Sequence, residues 1–189
     1  MPGVAVAEAG SDISSSKGED MKALARAAID GDRAAFGALI EAQYDFVFAT
    51  AFKWCGNRED AEDVTQDVCV KLARILKTYD GRAAFSTWLY RVVINAVHDL
   101  QRFRMRQAKQ ARDLKETAMA QIAPDQEQSA LTSELWAAVR ALPDRQRDAM
   151  LLVYGEEKTH AQVAEIMECR ESTVSFHIHA AKKTLKKLL

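Results

Sequence analysis

The chain has 189 residues, 48% hydrophobic and 28% charged, as in a folded globular protein of one ordinary domain or two small ones. A formal net charge of −1 and three cysteines exclude a uniformly basic nucleic-acid coat and a disulfide scaffold. No run approaches the roughly 20 apolar residues of a membrane span. The opening MPGVAVAEAGSDISSSKGED lacks the basic start and apolar core of a secretion signal, so a reducing, cytoplasmic setting is expected.

The small net charge hides a segregation. Between Glu41 and Val70, acids such as Glu59, Asp60, Glu62, Asp63 and Asp67 face only Lys53 and Arg58. Between Arg82 and Lys115, Arg91, Arg102, Arg104, Arg106 and their basic neighbours face only Asp99 and Asp113. An acidic stretch followed by a basic one predicts two different partners, one of them a polyanion.

Glycine and proline are scarce, and apolar residues recur at spacings of three and four, so the fold class is all-α. Residues 1–20 form a small, polar tail, expected to be disordered. A first helix runs from about Met21 to Asp30 and breaks at Gly31. The next is long, with Phe36, Leu39, Ile40, Tyr44, Val47, Phe48 and Ala51 on one face, and ends near CGN. A third, Asp60 to Leu76, buries Ala61, Val64, Val68, Leu72 and Ile75. KTYDGRAA is a loop with an Asp-Gly turn. The helix carrying Trp88, Val92 and Val93 follows, with Ser86 or Thr87 placed to cap it. Residues 107–130 lose the periodicity and contain Pro124, which predicts a flexible linker between two helical bodies, 21–106 and 131–189. The second body holds a helix around Trp136, Val139 and Leu142, then LPDRQRDAMLLVY, HAQVAEIM and a terminal helix from Ser172.

THAQVAEIMECRESTVSFHIHAAKKTL has the order of a helix-turn-helix. Val163, Ala164, Ile166 and Met167 supply one buried face, and Ile178, Ala181 and Leu185 the other. Ser175, Phe176, His179, Lys182 and Lys183 then point outward, a set able to read base edges and bind flanking phosphates. A plain three-helix bundle with a solvated lysine face fits the pattern equally. The turn holds Glu168-Cys169 where glycine is common, and a positive φ there costs a non-glycine residue about 1 kcal/mol.

Taken together, EDAEDVTQDVCVKLARIL, YDGRAAFSTWLYRVVINAVHD and LPDRQRDAMLLVYGEEKTHAQVAEIM with STVSFHIHAAKKTL resemble successive regions of a bacterial RNA polymerase sigma factor of the small extracytoplasmic-function (ECF) group. The resemblance covers residues 21–106, matching region 2, and 131–189, matching region 4. It implies a dissociable initiation factor with no catalysis and no cofactor of its own.

By that resemblance Asp60, Asp63 and Asp67, which recur at helical spacing beside Gln66, dock on the β′ clamp coiled coil of core RNA polymerase. Region 4 meets the β flap. Tyr79 and Asp80, with Val92 and Asn95, form the pocket for a base flipped from the −10 element, while Arg91 and Arg102 hold phosphates. Arg145 and Arg147 support the helix-turn-helix, Arg147 touching phosphate. Thr173, Ser175, Phe176, His179, Lys182 and Lys183 read the −35 element. Ser175, His177 and Ala180 stand where lysine or arginine is frequent, which weakens sequence-independent attraction. An anti-sigma factor is the further partner implied, with the linker letting the two bodies close around it.

The competing reading is a helix-turn-helix regulator whose N-terminal body senses a ligand or partner; it has no use for an acidic docking face. An enzyme is disfavoured: the sequence offers no phosphate-cradling glycine loop, no metal-ligand spacing and no nucleophile–base pair, and His98-Asp99 is placed at the surface. Cys55 and Cys169 are read as structural rather than redox-active.

Overall fold

Side chains near the turns set the helix ends. The Asp32 carboxylate accepts from the backbone N–H groups of Ala34 and Ala35 at 2.8 and 3.1 Å, and Asn57 accepts from Asp60 N at 2.9 Å. Each replaces a hydrogen bond that the first turn of a helix cannot make internally. Gly56, between these two helices, takes the left-handed conformation (φ 77°) that lets the chain reverse. Thr159 and Gln162 cap reciprocally further on.

The computed structural model describes residues 11–114 and 130–188, with side chains for 18–110 and 134–187. Every regular element among the described residues is helical. The first body contains α1 (Ser11–Ile29), α2 (Arg33–Cys55), α3 (Arg58–Ile75) and α4 (Phe85–Leu114), with a 3₁₀ turn at Leu76–Thr78. The second contains α5 (Ala130–Arg140), α6 (Asp144–Met150), a π-type turn at Leu151–Gly155, α7 (His160–Ile166) and α8 (Glu171–Leu188).

Several boundaries differ from the expected ones. α1 reaches back to Ser11, so part of the expected tail is helical, and residues 1–10 lie outside the described residues. α4 starts at Phe85, where Trp88 N donates to Ala84 O, which leaves Ser86 and Thr87 inside the first turn rather than capping it. It then runs through residues 107–114, the beginning of the expected linker; 115–129 lie outside the described residues. Apart from Asp113, that extension is made of Gln, Ala, Lys, Arg and Leu, all good helix formers.

The apolar stripes are buried largely as the periodicity predicts. Leu39, Val47, Ala51 and Trp54 of α2 meet Ala61, Val64, Val68 and Leu72 of α3 and Leu89, Val93 and Val97 of α4. Tyr44 departs from the pattern, being 45% exposed. In the second body Val163 and Ile166 of α7 close on Val174, Ile178, Ala181 and Leu185 of α8.

The two bodies pack against each other. Trp54 of α2, fully buried, donates its indole N–H to the Asp148 carboxylate of α6 at 2.9 Å. His98 Nε2 lies 3.2 Å from the same carboxylate oxygen, so His98 is an interface residue and not the surface one expected. The Arg140 side chain of α5 lies across Gly56, where a Cβ would overlap it. Burial there pushes the Arg140 guanidinium below its usual range, partly countered by Cys55.

Candidate nucleic-acid interface

The outer face of α3 is set by its stripe: with Val64 and Val68 inside, Asp63, Gln66 and Asp67 are exposed. Asp67 pairs with Lys71 one turn on, at 2.6 Å. Asp60 does not belong to this face. It is 8% exposed, ion-paired with Arg104 of α4, and receives Asn57 Nδ2 at 3.0 Å. Its place in the first turn, beside the N-cap, draws the carboxylate back onto the helix end and α4, so the expected docking set reduces to Asp63, Gln66 and Asp67.

Sequence reasoning missed what adjoins those carboxylates. A cleft of about 620 Å³ runs between α3 and α4, lined by Asp63, Asp67, Val70, Leu100, Phe103 and Arg106. Val70 is 72% and Phe103 49% exposed. The signal was present: Val70 falls off the α3 stripe, two residues from Val68, and Phe103 stands alone within a basic run.

In the loop between α3 and α4, Tyr79 closes the core instead of offering a free ring. It is 8% exposed, meets Phe85 edge-on at 5.3 Å and Trp88 at 5.6 Å, and donates its hydroxyl to Ala83 O at 2.9 Å. Of the residues expected to form the base pocket, Tyr79 thus contributes as a support for the loop, because three aromatics bury one another there. Asp80 remains exposed and accepts from Arg82 N at 3.0 Å, a local turn that shapes the loop. Lys22 and Arg26 of α1 border the same hollow, of about 340 Å³, with Asp80 and Gly81. Those two cations were not anticipated, since they lie far from the loop in sequence.

Further along α4, Arg91, Asn95 and Arg102 follow one another up one side and line a common cleft of about 350 Å³ with Asp144, Arg145 and Glu168 of the second body. Val92 is half-buried and not among the residues that line the cleft. Arg102 pairs with Asp99 at 2.8 Å and keeps more than half its surface open. Arg91 is fully engaged: Nε and Nη2 donate to the carbonyls of Ile166 and Glu165 at 3.2 and 2.7 Å, and Nη1 pairs with Glu168 at 2.8 Å.

On α8, Ser175, Phe176, His179, Lys182 and Lys183 all face outward, and Phe176 is 67% exposed. Thr173 is half-buried. Ser175 Oγ donates to Glu171 O and lies 3.3 Å from His160 Nδ1, which ties the start of α8 to the start of α7. Lys182 reaches over the Tyr154 ring, 5.1 Å from its centroid. Arg147 corrects the expected phosphate contact. It is 4% exposed and donates to Asp144 at 3.0 Å and towards Arg140 O, so it braces the body from within. Arg145 is the exposed member of the pair and donates to Met167 O at 3.1 Å, holding the turn of the helix-turn-helix.

That turn takes the positive φ whose cost the missing glycine raised as a question. Glu168 adopts φ 51°, a left-handed conformation that costs about 1 kcal/mol without glycine. Burial pushes the Cys55 thiol up to about 12, assisted by the nearby Asp60 carboxylate, so it is a structural thiol. Among the described residues no group of three His, Cys, Asp or Glu side chains is arranged to hold a metal.

An acidic outer helix face, a basic helix bordering a loop hollow, and a helix-turn-helix with donors and cations outward define a two-body helical DNA-binding protein. Its two bodies match two family models: sigma-70 region 2 over residues 39–108 and sigma-70 region 4 over residues 132–185, together about two thirds of the chain. The ECF sigma factor SigW of Bacillus subtilis is 27% identical over 172 residues, covering 84% of this chain and 91% of SigW. SigE of Mycolicibacterium smegmatis is 29% identical over 166 residues, covering 84% of this chain and 64% of the relative. In fold, the chain is similar to the sigma factor RpoE solved in complex with the anti-sigma factor NepR from Bartonella quintana, with TM-score 0.61, 22% identity, and 81% and 95% of the two chains covered. The chain belongs to the sigma-70 family, in its ECF group.

Proposed function

We propose that this ECF sigma factor binds core RNA polymerase through Asp63, Gln66 and Asp67 together with the Val70–Phe103 cleft. Carboxylates around an exposed apolar strip supply both charge steering and buried area to a basic, helical partner. The loop hollow at Asp80, bordered by Lys22 and Arg26, and the separate α4 cleft bearing Arg91, Asn95 and Arg102 hold the −10 element as it opens, and α8 reads the −35 element through Ser175, Phe176, His179, Lys182 and Lys183. The protein works by binding alone, in the cytoplasm; among the described residues no helix is long and apolar enough to cross a membrane. An anti-sigma protein is proposed as its inhibitor, by likeness to the factor solved with NepR.

The observation that carries this reading is the outward acidic face of α3 in a chain that also holds a helix-turn-helix, since a simple repressor has no use for the former. The test is to add the purified protein to core RNA polymerase with genomic DNA of the source organism and sequence the transcripts. New start sites sharing two spaced upstream elements are expected. Neither starts nor co-elution with core would favour a regulator instead.

A further inference from the structure

Several of the polar groups that start α8 are already engaged within the protein. Ser175 Oγ donates to Glu171 O at 3.2 Å and lies 3.3 Å from His160 Nδ1, so its one proton is committed internally. Thr173 is half-buried, and Lys182 reaches over the Tyr154 ring. What projects freely from the second turn is Phe176, at 67% the most exposed aromatic ring among the described residues. His177 meets that ring edge-on, with centroids 5.7 Å apart, which limits the positions it can take.

Phe176, His179 and Lys183 follow one another at helical spacing, so one stripe carries a ring, then an imidazole, then a cation towards the C-terminal end. In a helix-turn-helix the N-terminal part of the second helix meets base edges. A phenyl ring neither donates nor accepts a conventional hydrogen bond there. The apolar group that the major groove offers it is the C5-methyl of thymine. Exposed Lys182, Lys183 and Lys186 attract phosphate, which favours DNA over an apolar protein groove as the occupant of this face. α8 also contains no arginine for fork-like pairing with guanine, which leaves more of the discrimination to apolar contact.

We propose that Phe176 determines specificity at one base pair of the −35 element by packing its ring on the C5-methyl of a thymine. The inference rests on the assignment of α8 to the −35 element and adds to it a base that the helix requires and the chemistry by which it is chosen. Selection at that base pair works by burying a methyl group rather than by hydrogen bonding.

The experiment uses the full chain assembled with core RNA polymerase on a promoter identified by transcript sequencing. Each thymine of the upstream element, on either strand, is replaced singly by deoxyuridine, which lacks only the methyl and keeps the pairing and the O4 acceptor. Because this change is made in the DNA, it tests the contact in unaltered protein. At one position deoxyuridine is expected to weaken wild-type binding about fourfold, the worth of burying one methyl group. Phe176→Ala is expected to bind the thymine and deoxyuridine promoters alike, with unchanged core affinity and an unchanged salt dependence, since the ring touches no phosphate. Phe176→Leu, still apolar, keeps a penalty for deoxyuridine. Circular dichroism verifies the fold of both variants.

An upstream element whose thymines can all be replaced without loss overturns the inference and leaves the −35 reading standing. A Phe176→Ala protein that keeps the full wild-type penalty gives the methyl contact to another residue and overturns the role of Phe176. Weakened core binding in Phe176→Ala makes the ring a protein contact, and the proposal is wrong. If changing the upstream element in any way leaves wild-type binding unaltered, the −35 reading itself fails and the inference falls with it.

Discussion

The two bodies solve the problem of smallness differently. The first is held by large apolar side chains, with Trp54, Leu39, Leu72 and Leu89 almost fully buried, and most of its charges are left outside. The second is built on short helices and buries polar groups with its apolar ones: Arg147 against Asp144, and Asp148 against Trp54 and His98. An apolar core is indifferent to orientation, whereas a buried carboxylate needs donors in place and is costly without them. Part of what satisfies the second body comes from the first. The difference teaches that the helix-turn-helix body is matched to a neighbour as well as to DNA.

The sharpest break of this comparison is Asp63→Arg with Asp67→Arg. Reversing two exposed charges on α3 is expected to weaken core polymerase binding by at least about a hundredfold, with an unchanged circular dichroism spectrum. Asp60→Ala tests the opposite case on the same helix. Removing a buried carboxylate from Arg104 and the α3 cap is expected to cost about 2–3 kcal/mol in denaturant unfolding, the partial exposure of Arg104 keeping it at the low end. Equal effects of the two changes on folding would erase the distinction between docking and structural acids.

An alkaline titration reads the boundary between the bodies. Burial, and secondarily Asp60, raises the Cys55 thiol from 9.0 to about 12, while burial and Glu156 raise the Tyr90 phenol. Both groups keep their protons longer folded than unfolded. Stability is therefore full below about pH 9 and falls as pH rises towards 12, at up to about 1.4 kcal/mol per pH unit for each group titrating. Thermal melts across this window measure the slope, and Tyr90→Phe should make it shallower. The smallest expected effect is at the DNA face: His179→Ala should weaken binding to the upstream element about fivefold and leave core affinity unaltered. Equal loss on every DNA sequence would make His179 a phosphate contact.

Much of the fold was legible because helices write themselves in local spacing. The stripes of α2, α3, α7 and α8 emerge buried nearly as read, and the Glu168 turn takes the left-handed form that the missing glycine raised as a question. The outward set on α8 was legible for the same reason, since one helix face follows from the other. Errors fell where a residue's fate depends on which partner the packing gives it, near or far along the chain. Asp60 shares its periodicity with Asp63 and Asp67, yet Arg104, far along the chain, takes it inside. Arg147 sits two residues from exposed Arg145 and is captured by Asp144, while Tyr79 is covered by Phe85 and Trp88.

The sequence by itself determined the helices, their buried faces and the family, because each is carried by short-range periodicity and by ordered motifs. Only the tertiary structure decided which charges remain available and that the two bodies meet. Pairing of Arg91 with Glu168, or Trp54 with Asp148, joins residues 77 and 94 positions apart. No local pattern encodes such a contact; it exists because desolvated donors must find acceptors wherever the packed chain brings them.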